Sequence, residues 1–188
     1  MQTSTMALPT VQPSLASKYV VLRPFEVQDV PVVQEASRDP HIPLITSVPT
    51  SDDPGEAQRY IERQRSRATE GVGYSFAIAD AETNQASGQI GLWPRDLIHG
   101  RASIGYWVAP SQRRTGIATG ALRTISEWGL QLSDLHRLEL YAEPWNEGSW
   151  RAAERVGYQR EGLLRDWQVV GDRWRDMFMY SLVKEAGV

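Results

Sequence analysis

A strand that runs through a short basic loop into an amphipathic helix constrains this chain more than any other stretch. Residues 104–120 read IGYWVAPSQRRTGIATG. Alternation puts Ile104, Tyr106 and Val108 on one strand face and Ser103, Gly105 and Trp107 on the other, and Pro110 then stops the ladder. After Gly116 the apolar residues Ile117, Ala121, Ile125, Trp128 and Leu132 recur at three- and four-residue intervals, the pattern of a helix with one buried stripe. Between them lie Gln112, Arg113, Arg114 and Thr115, followed by a glycine that lets the backbone turn closely into the helix. Unpaired N–H groups of the first helical turn, the positive end of the helix dipole and two arginines converge there, a combination suited to a pyrophosphate. A solvated basic loop carries the same residue types. The neighbouring sequence decides between the two.

The loop has the pattern R-x-x-G-x-A, written as Arg113, Gly116 and Ala118 after a strand ending in Val108-Ala109-Pro110. It resembles the acyl-CoA signature of the GNAT N-acetyltransferase superfamily. Further on, Asn146-Glu147-Gly148-Ser149 and then Glu154-Arg155-Val156-Gly157-Tyr158 resemble the N-x-x-S and E-[KR]-x-G-[FY] of that superfamily's RimJ/RimL-like branch, the ribosomal-protein N-terminal acetyltransferase type. The resemblance extends less sharply from about Tyr19 to Val183. It implies an α/β fold, a mixed and mostly antiparallel sheet whose central parallel strand pair splays to admit acyl-CoA.

The 188 residues allow one domain with a sizeable core, and 41% hydrophobic with 23% charged residues is ordinary for a soluble globular chain. No apolar run approaches the ~20 residues of a membrane span. The N-terminus lacks a basic segment followed by an apolar core, so a cytoplasmic protein is expected. The absence of cysteine excludes disulfides, thiolate metal sites and a cysteine nucleophile. A net charge of -3 argues against bulk attraction to nucleic acid or an anionic membrane.

Residues 1–17, rich in Thr, Ser, Pro and Gln, read as a flexible tail, with the domain occupying 18–188. Strands are expected at Tyr19–Pro24, Tyr74–Ala79, Gln89–Trp93, Ala102–Val108, Arg137–Ala142, Gly162–Val170 and Arg173–Val183. Helices are expected after Asp29, from Pro54 to about Thr69 behind an Asp53 cap, from Gly116 to about Gln131, and from about Ser149 to Val156 with Gly157 closing it. The proline-broken stretch His41–Pro49 reads as a lid or a plain loop. About seven strands and four helices result. A strand–helix–strand connection needs a right-handed crossover, so the strands of Ile104 and Leu138 should lie parallel and adjacent.

Acyl transfer to an amine requires both reactants to be held, the amine to be unprotonated, the oxyanion to be stabilised and the departing thiolate to be protonated. The resemblance implies that the Trp107–Val108 strand pairs with the pantetheine arm and offers a main-chain N–H to the thioester oxygen. It implies that Arg113, Arg114, Thr115, Gly116, Ile117, Ala118 and Thr119 hold the pyrophosphate. Asn146 is a residue type that caps helices, and by resemblance it also touches the pantetheine. By resemblance Ser149 is the expected general acid or hydrogen-bond donor to the leaving thiolate, because the RimJ/RimL-like branch places a serine there, and the tyrosine that many members of the superfamily place later in this helix falls at about Ala153. Tyr158 and Tyr180 are distant reserves. Glu139, opposite Leu138 and Leu140 on its strand, is the expected general base, with Glu143, Asp166 and a water chain as competitors. A free α-amine, with a pKa of about 8, needs less help than a lysine at about 10.4.

Gly100–Gly105 has P-loop spacing, but Tyr106-Trp107 replaces the required Lys-Ser/Thr. His41, His99 and His136 are isolated, with no paired zinc spacing, and read as surface or loop residues. Trp93, Trp145, Trp150, Trp167 and Trp174 suit either a substrate rim or packing. The expectation is an acetyl-CoA-dependent N-acetyltransferase, without metal, acting on a protein N-terminus or a small-molecule amine as a monomer or homodimer. Another short acyl-CoA such as succinyl-CoA, and a non-catalytic acyl-CoA sensor, are the alternatives.

Overall fold

The computed structural model describes residues 8–185. The chain opens with β1 (Leu15–Ala16), β2 (Val20–Arg23), α1 (Val30–Ser37), α2 (Ile42–Ile45) and α3 (Pro54–Ser66). A meander of β3 (Tyr74–Asp80), β4 (Ala86–Asp96) and β5 (Arg101–Val108) follows, then the crossover helix α4 (Ile117–Gln131) and β6 (Arg137–Ala142). The last elements are α5 (Glu147–Val156), β7 (Gln159–Val170) and β8 (Arg173–Val183). All eight strands join one sheet in the order β1-β2-β3-β4-β5-β6-β8-β7. Among the described residues only β5 and β6 run parallel. That is the pair the crossover argument requires.

The sheet is buried on both faces because its central strands carry apolar residues at odd and even positions alike. Phe76 and Ile78 of β3 pack with Ala121, Leu122 and Ile125 of α4. Ala77 and Trp107 face the other way, onto Val33, Ala57, Tyr60 and Ile61 of α1 and α3. Burying each large side chain contributes about 1.5–3 kcal/mol. Trp128 adds edge-to-face contacts, its centroid 4.8 Å from that of Tyr74 and 5.8 Å from that of Phe76.

Asp53 caps α3 by accepting the Glu56 N–H at 3.0 Å, with Pro54 in the first turn. The helix ends at Ser66 rather than Thr69, and Ala68 turns into the opposite core. Two elements exceed the seven strands and four helices expected. The first is β1, inside the stretch expected to be a flexible tail. From residue 8 onward that expectation is corrected: Leu15 pairs with Leu22, Gln12 Nε2 donates to the Ser75 carbonyl, and the Tyr74 hydroxyl donates to the Pro9 carbonyl at 2.6 Å. Two paired residues carry too little alternation to stand out from a polar tail. Residues 1–7 lie outside the described residues. The second is α2, a single turn within the proline-broken stretch. The Asp39 carboxylate holds it by accepting the N–H groups of His41 at 2.9 Å and Ile42 at 3.0 Å.

Candidate active site

The site opens where two strands part. β5 and β6 pair from Arg101↔Arg137 to Ile104↔Leu140 and no further. Beyond that point β5 keeps its other neighbour, reaching Gly88↔Val108, and β6 keeps its own, reaching Ala142↔Phe178. Each strand is therefore held in the sheet while the gap between them widens. The β5 edge from Gly105 to Val108 is left with backbone groups that an extended ligand arm can pair with. The Trp107 side chain does not face this gap. It is buried against α3, its indole N–H donating to the Tyr60 hydroxyl at 3.2 Å.

The loop after β5 turns through Pro110–Gln112, and Arg114 and Gly116 both adopt positive φ, 67° and 85°. Such a conformation is costly for the arginine and natural for the glycine. A Cβ at Gly116 would meet nothing within 4 Å, so open space lies above the first turn of α4. The amides of Ile117, Ala118 and Thr119 begin the helix and have no intrahelical acceptor. Dipole and amides thus present a seat for an anion. The two arginines divide. Arg113 donates from Nη2 to Asp39 Oδ2 at 2.7 Å and from Nε to the Val108 carbonyl at 3.2 Å, tying the loop down, while Arg114 is exposed. Thr115 donates to the Gln112 carbonyl at 2.8 Å, closing the turn.

A cleft of about 1030 Å³ lies at the parting of the strands and brings together Tyr106, Glu139, Glu143, Asn146, Ser149 and His41. Asn146 caps α5 by accepting the Ser149 N–H at 3.3 Å, which fixes Ser149 in the first turn. Ser149 Oγ lies 3.1 Å from the Tyr106 hydroxyl, and that hydroxyl also reaches the Ser149 carbonyl at 3.2 Å. Burial raises the Tyr106 pKa, more than its bond to Ser149 lowers it, so the phenol stays protonated at neutral pH. The two hydroxyls can relay one proton. Sequence reasoning placed Tyr106 on its strand face but missed it as a site residue; the signal was a hydroxyl in line with Ile104 on the strand that borders the loop.

Glu139 lines the cleft as the alternation predicts, yet both its oxygens are engaged. Arg137 Nε donates to Oε1 at 2.8 Å and the Tyr141 hydroxyl donates to Oε2 at 2.8 Å. Burial, and then the carboxylate beside it, push the Tyr141 phenol up to about 12. Arg137 and Tyr141 sit two residues either side of Glu139, so strand geometry alone puts all three on one face. Glu143 lies just past the end of β6, its side chain 5% exposed. It accepts the Trp145 indole N–H at 2.8 Å, and His41 Nε2 stands 3.1 Å from its other oxygen without hydrogen-bond geometry. His41 is a loop residue, as expected, and it also lines the cleft, packed edge-on against Trp145 at 4.6 Å.

The remaining candidates fall elsewhere. Asp166 is exposed on β7, its own amide donating to Asp176 at 2.9 Å. The Tyr158 hydroxyl is buried 2.8 Å from Ser126 Oγ, and Tyr180 donates to Glu154 at 3.0 Å; neither lines the cleft. Gly100, at positive φ, turns the chain into β5, so the P-loop-like spacing is a strand entry. Trp93 and Trp167 do line the cleft, Trp167 stacked on Tyr141 at 5.5 Å, whereas Trp150 is tied to the Pro144 carbonyl.

Comparison with known proteins agrees with this geometry. Residues 20–159 match the family described as acetyltransferase (GNAT) domain. The uncharacterized N-acetyltransferase p20 of Bacillus licheniformis is 29% identical over 171 residues, covering 91% of this chain and 96% of that protein. Among solved structures, RimJ of Mycobacterium smegmatis in complex with CoA-disulfide superposes with a TM-score of 0.77 at 24% identity, over 93% of this chain and 89% of that one. The microcin C7 self immunity acetyltransferase MccE, in complex with acetyl-CoA and AMP, does so with a TM-score of 0.78 at 18% identity, over 93% and 99%. With the family's domain spanning the parted strands, the anion seat and the Asn146–Ser149 turn, this chain belongs to the GNAT acetyltransferase family.

Proposed function

We propose that the protein is an acetyl-CoA-dependent N-acetyltransferase that moves an acetyl group directly to a primary amine, on a protein N-terminus or a small molecule. The observation that carries this reading is the meeting of the Ser149–Tyr106 hydroxyl pair with the open edge of β5 in one cleft. The residues present fit the co-substrate: three free amides and open space over Gly116 for the pyrophosphate, and an unpaired strand edge for the pantetheine. Acetyl-CoA supplies the acetyl group as a thioester, reactive toward an amine. Backbone N–H groups near Val108 polarise the carbonyl, Arg114 adds positive charge beside the phosphates, and Asn146 orients the pantetheine amides while capping α5. Ser149, backed by Tyr106, delivers the proton that the departing sulfur needs. Arg113 serves as a strut under the loop, its guanidinium already committed to Asp39.

Calorimetric titration with acetyl-CoA, succinyl-CoA and CoA, repeated with Gly116→Glu, tests the donor side. A carboxylate there fills the open space over the helix end, repels phosphate and strains a positive φ. Acetyl-CoA affinity is expected to fall at least 100-fold. A protein that bound no CoA species would overturn the proposed activity, and preferential succinyl-CoA binding would change the donor.

A further inference from the structure

Of the ionisable groups in the cleft, Glu143 is the one whose environment suits an incoming cation. Glu139 is neutralised by Arg137 at 2.8 Å, whereas Glu143 has Arg175 no nearer than 3.8 Å and one oxygen, Oε1, buried without a hydrogen bond. A buried polar atom left unpaired costs about 1–3 kcal/mol, and a donor entering the cleft relieves that cost. His41 Nε2 stands 3.1 Å from the same oxygen, within ion-pair distance but without hydrogen-bond geometry. His41 is in turn fixed through its backbone: Asp39 accepts the His41 and Ile42 amides through Oδ1 and holds Arg113 through Oδ2. Burial works against the Asp39 carboxylate, but the amides of Ile42 and His41, together with Arg113, outweigh it and keep its pKa below the usual range. A continuous set of contacts therefore runs from the loop under the donor to the carboxylate on the acceptor side.

Resting on the acetyltransferase reading, we infer that Glu143, and not Glu139, receives the acceptor amine and takes its proton, with His41 as the outlet to solvent and Asp39 as the positioning residue that holds His41 in place. An ammonium held at Glu143 gives one proton to the carboxylate, which passes it through His41, whose side chain is 26% exposed, to solvent. The neutral nitrogen then forms the C–N bond, and its second proton passes to the Glu143 carboxylate. As the C–S bond breaks, its electron pair leaves on sulfur, which takes a proton from the Ser149–Tyr106 pair. Glu143 returns its proton to that pair through the solvent of the cleft, and one proton is released in net. The groups facing Glu143 are His41 from the start of α2, Arg175 from β8 and the Trp145 indole. None of them is a guanidinium hydrogen-bonded to the carboxylate, as Arg137 is at Glu139, where it stabilises the charged form and lowers its basicity.

The test follows free-thiol release from acetyl-CoA between pH 6 and 10. Acceptors are peptides with free Ser, Ala or Met N-termini, spermidine, lysine and an aminoglycoside, with acetyl-CoA affinity measured on the same preparations. Glu143→Gln is expected to lower kcat/KM for the amine at least 100-fold at pH 7, with the loss recovering as pH rises and the amine arrives deprotonated. Acetyl-CoA affinity should stay within threefold of wild type. Asp39→Ala is expected to lower kcat/KM about tenfold at pH 7, with the loss shrinking as pH rises, because it displaces the His41 outlet without removing the base. A Glu143→Gln protein with wild-type kcat/KM and pH profile overturns the inference, as does a Glu139→Gln protein that shows the pH-recoverable loss instead. A wild-type protein that binds acetyl-CoA yet acetylates none of these amines overturns the enzymatic reading itself, and the inference with it.

Discussion

Tyr106 and Ser149 illustrate how much of a site a single residue type conveys. Serine in a first helical turn is unremarkable, and a strand tyrosine is usually core. At 3.1 Å from each other, with the phenol buried and its pKa raised, they are placed as the proposed proton relay requires. Tyr106→Phe should lower kcat by about 10-fold and Ser149→Ala by about 100-fold, the lower part of the range for general acid catalysis. Acetyl-CoA affinity should be nearly unchanged in both, checked by single-turnover kinetics beside calorimetry. If the double variant loses no more than Ser149→Ala alone, the two act as one unit. Asn146 and Ser149 were legible because capping and motif spacing are local. The status of Glu139 was half legible: alternation placed it in the cleft, and the same alternation put Arg137 and Tyr141 beside it. The pairing of His41 with Glu143 was not legible, because residues about a hundred positions apart meet only through the fold.

At the level of elements, the β4–β5 pairing sets the edge on which the proposed donor site rests. A Cβ at Gly88 would lie 2.2 Å from the Trp107 carbonyl oxygen and 3.0 Å from the Val108 Cα, so this glycine permits the close approach that sets the β5 edge. Gly88→Ala must push that edge toward the gap between the strands. It should cost about 1–3 kcal/mol in stability and weaken acetyl-CoA binding at least tenfold, read from urea unfolding and calorimetry. A variant that lost stability with intact affinity would detach the edge from the donor site. The amphipathic stripe of α4 and the Asp53 cap of α3 were visible in the chain because each obeys a short-range rule. The one-turn α2 was not. Its prolines argue for a loop, and what holds it is the carboxylate of Asp39, whose other oxygen is spent on Arg113 far along the chain.

Across the whole molecule, stability in acid depends on ties between strands distant in sequence. Arg137 donates to both oxygens of Glu161, at 2.8 and 2.6 Å, and Ser181 donates to Oε1. Together these hold the Glu161 pKa down to about 2, from an ordinary value of 4.5. The unfolded chain therefore binds a proton more readily than the folded one between those values. The contribution of Glu161 is complete above about pH 4.5 and is lost as pH falls toward 2. The carboxylate is 42% exposed and screened by solvent, so the effect is a change of slope rather than a large energy. Glu161→Gln should lower the urea midpoint slightly near pH 7 and flatten its dependence on pH in that window. An unaltered slope would remove Glu161 from the acid-sensitive set.

By itself the sequence determined the order of most elements, the parallel strand pair, the glycine-led start of α4 and the capped Ser149 turn. Each follows from periodicity, from the steric rules of glycine and proline, or from side chains reaching only a few residues along the chain. The tertiary structure alone decided that the two strands part after Ile104 and Leu140, that Trp107 packs into the core, that Arg113 bonds Asp39, and which carboxylate in the cleft lacks a hydrogen-bonded arginine. Those outcomes depend on which distant groups reach a given oxygen first, and a buried charge has its chemistry set by the partners that surround it.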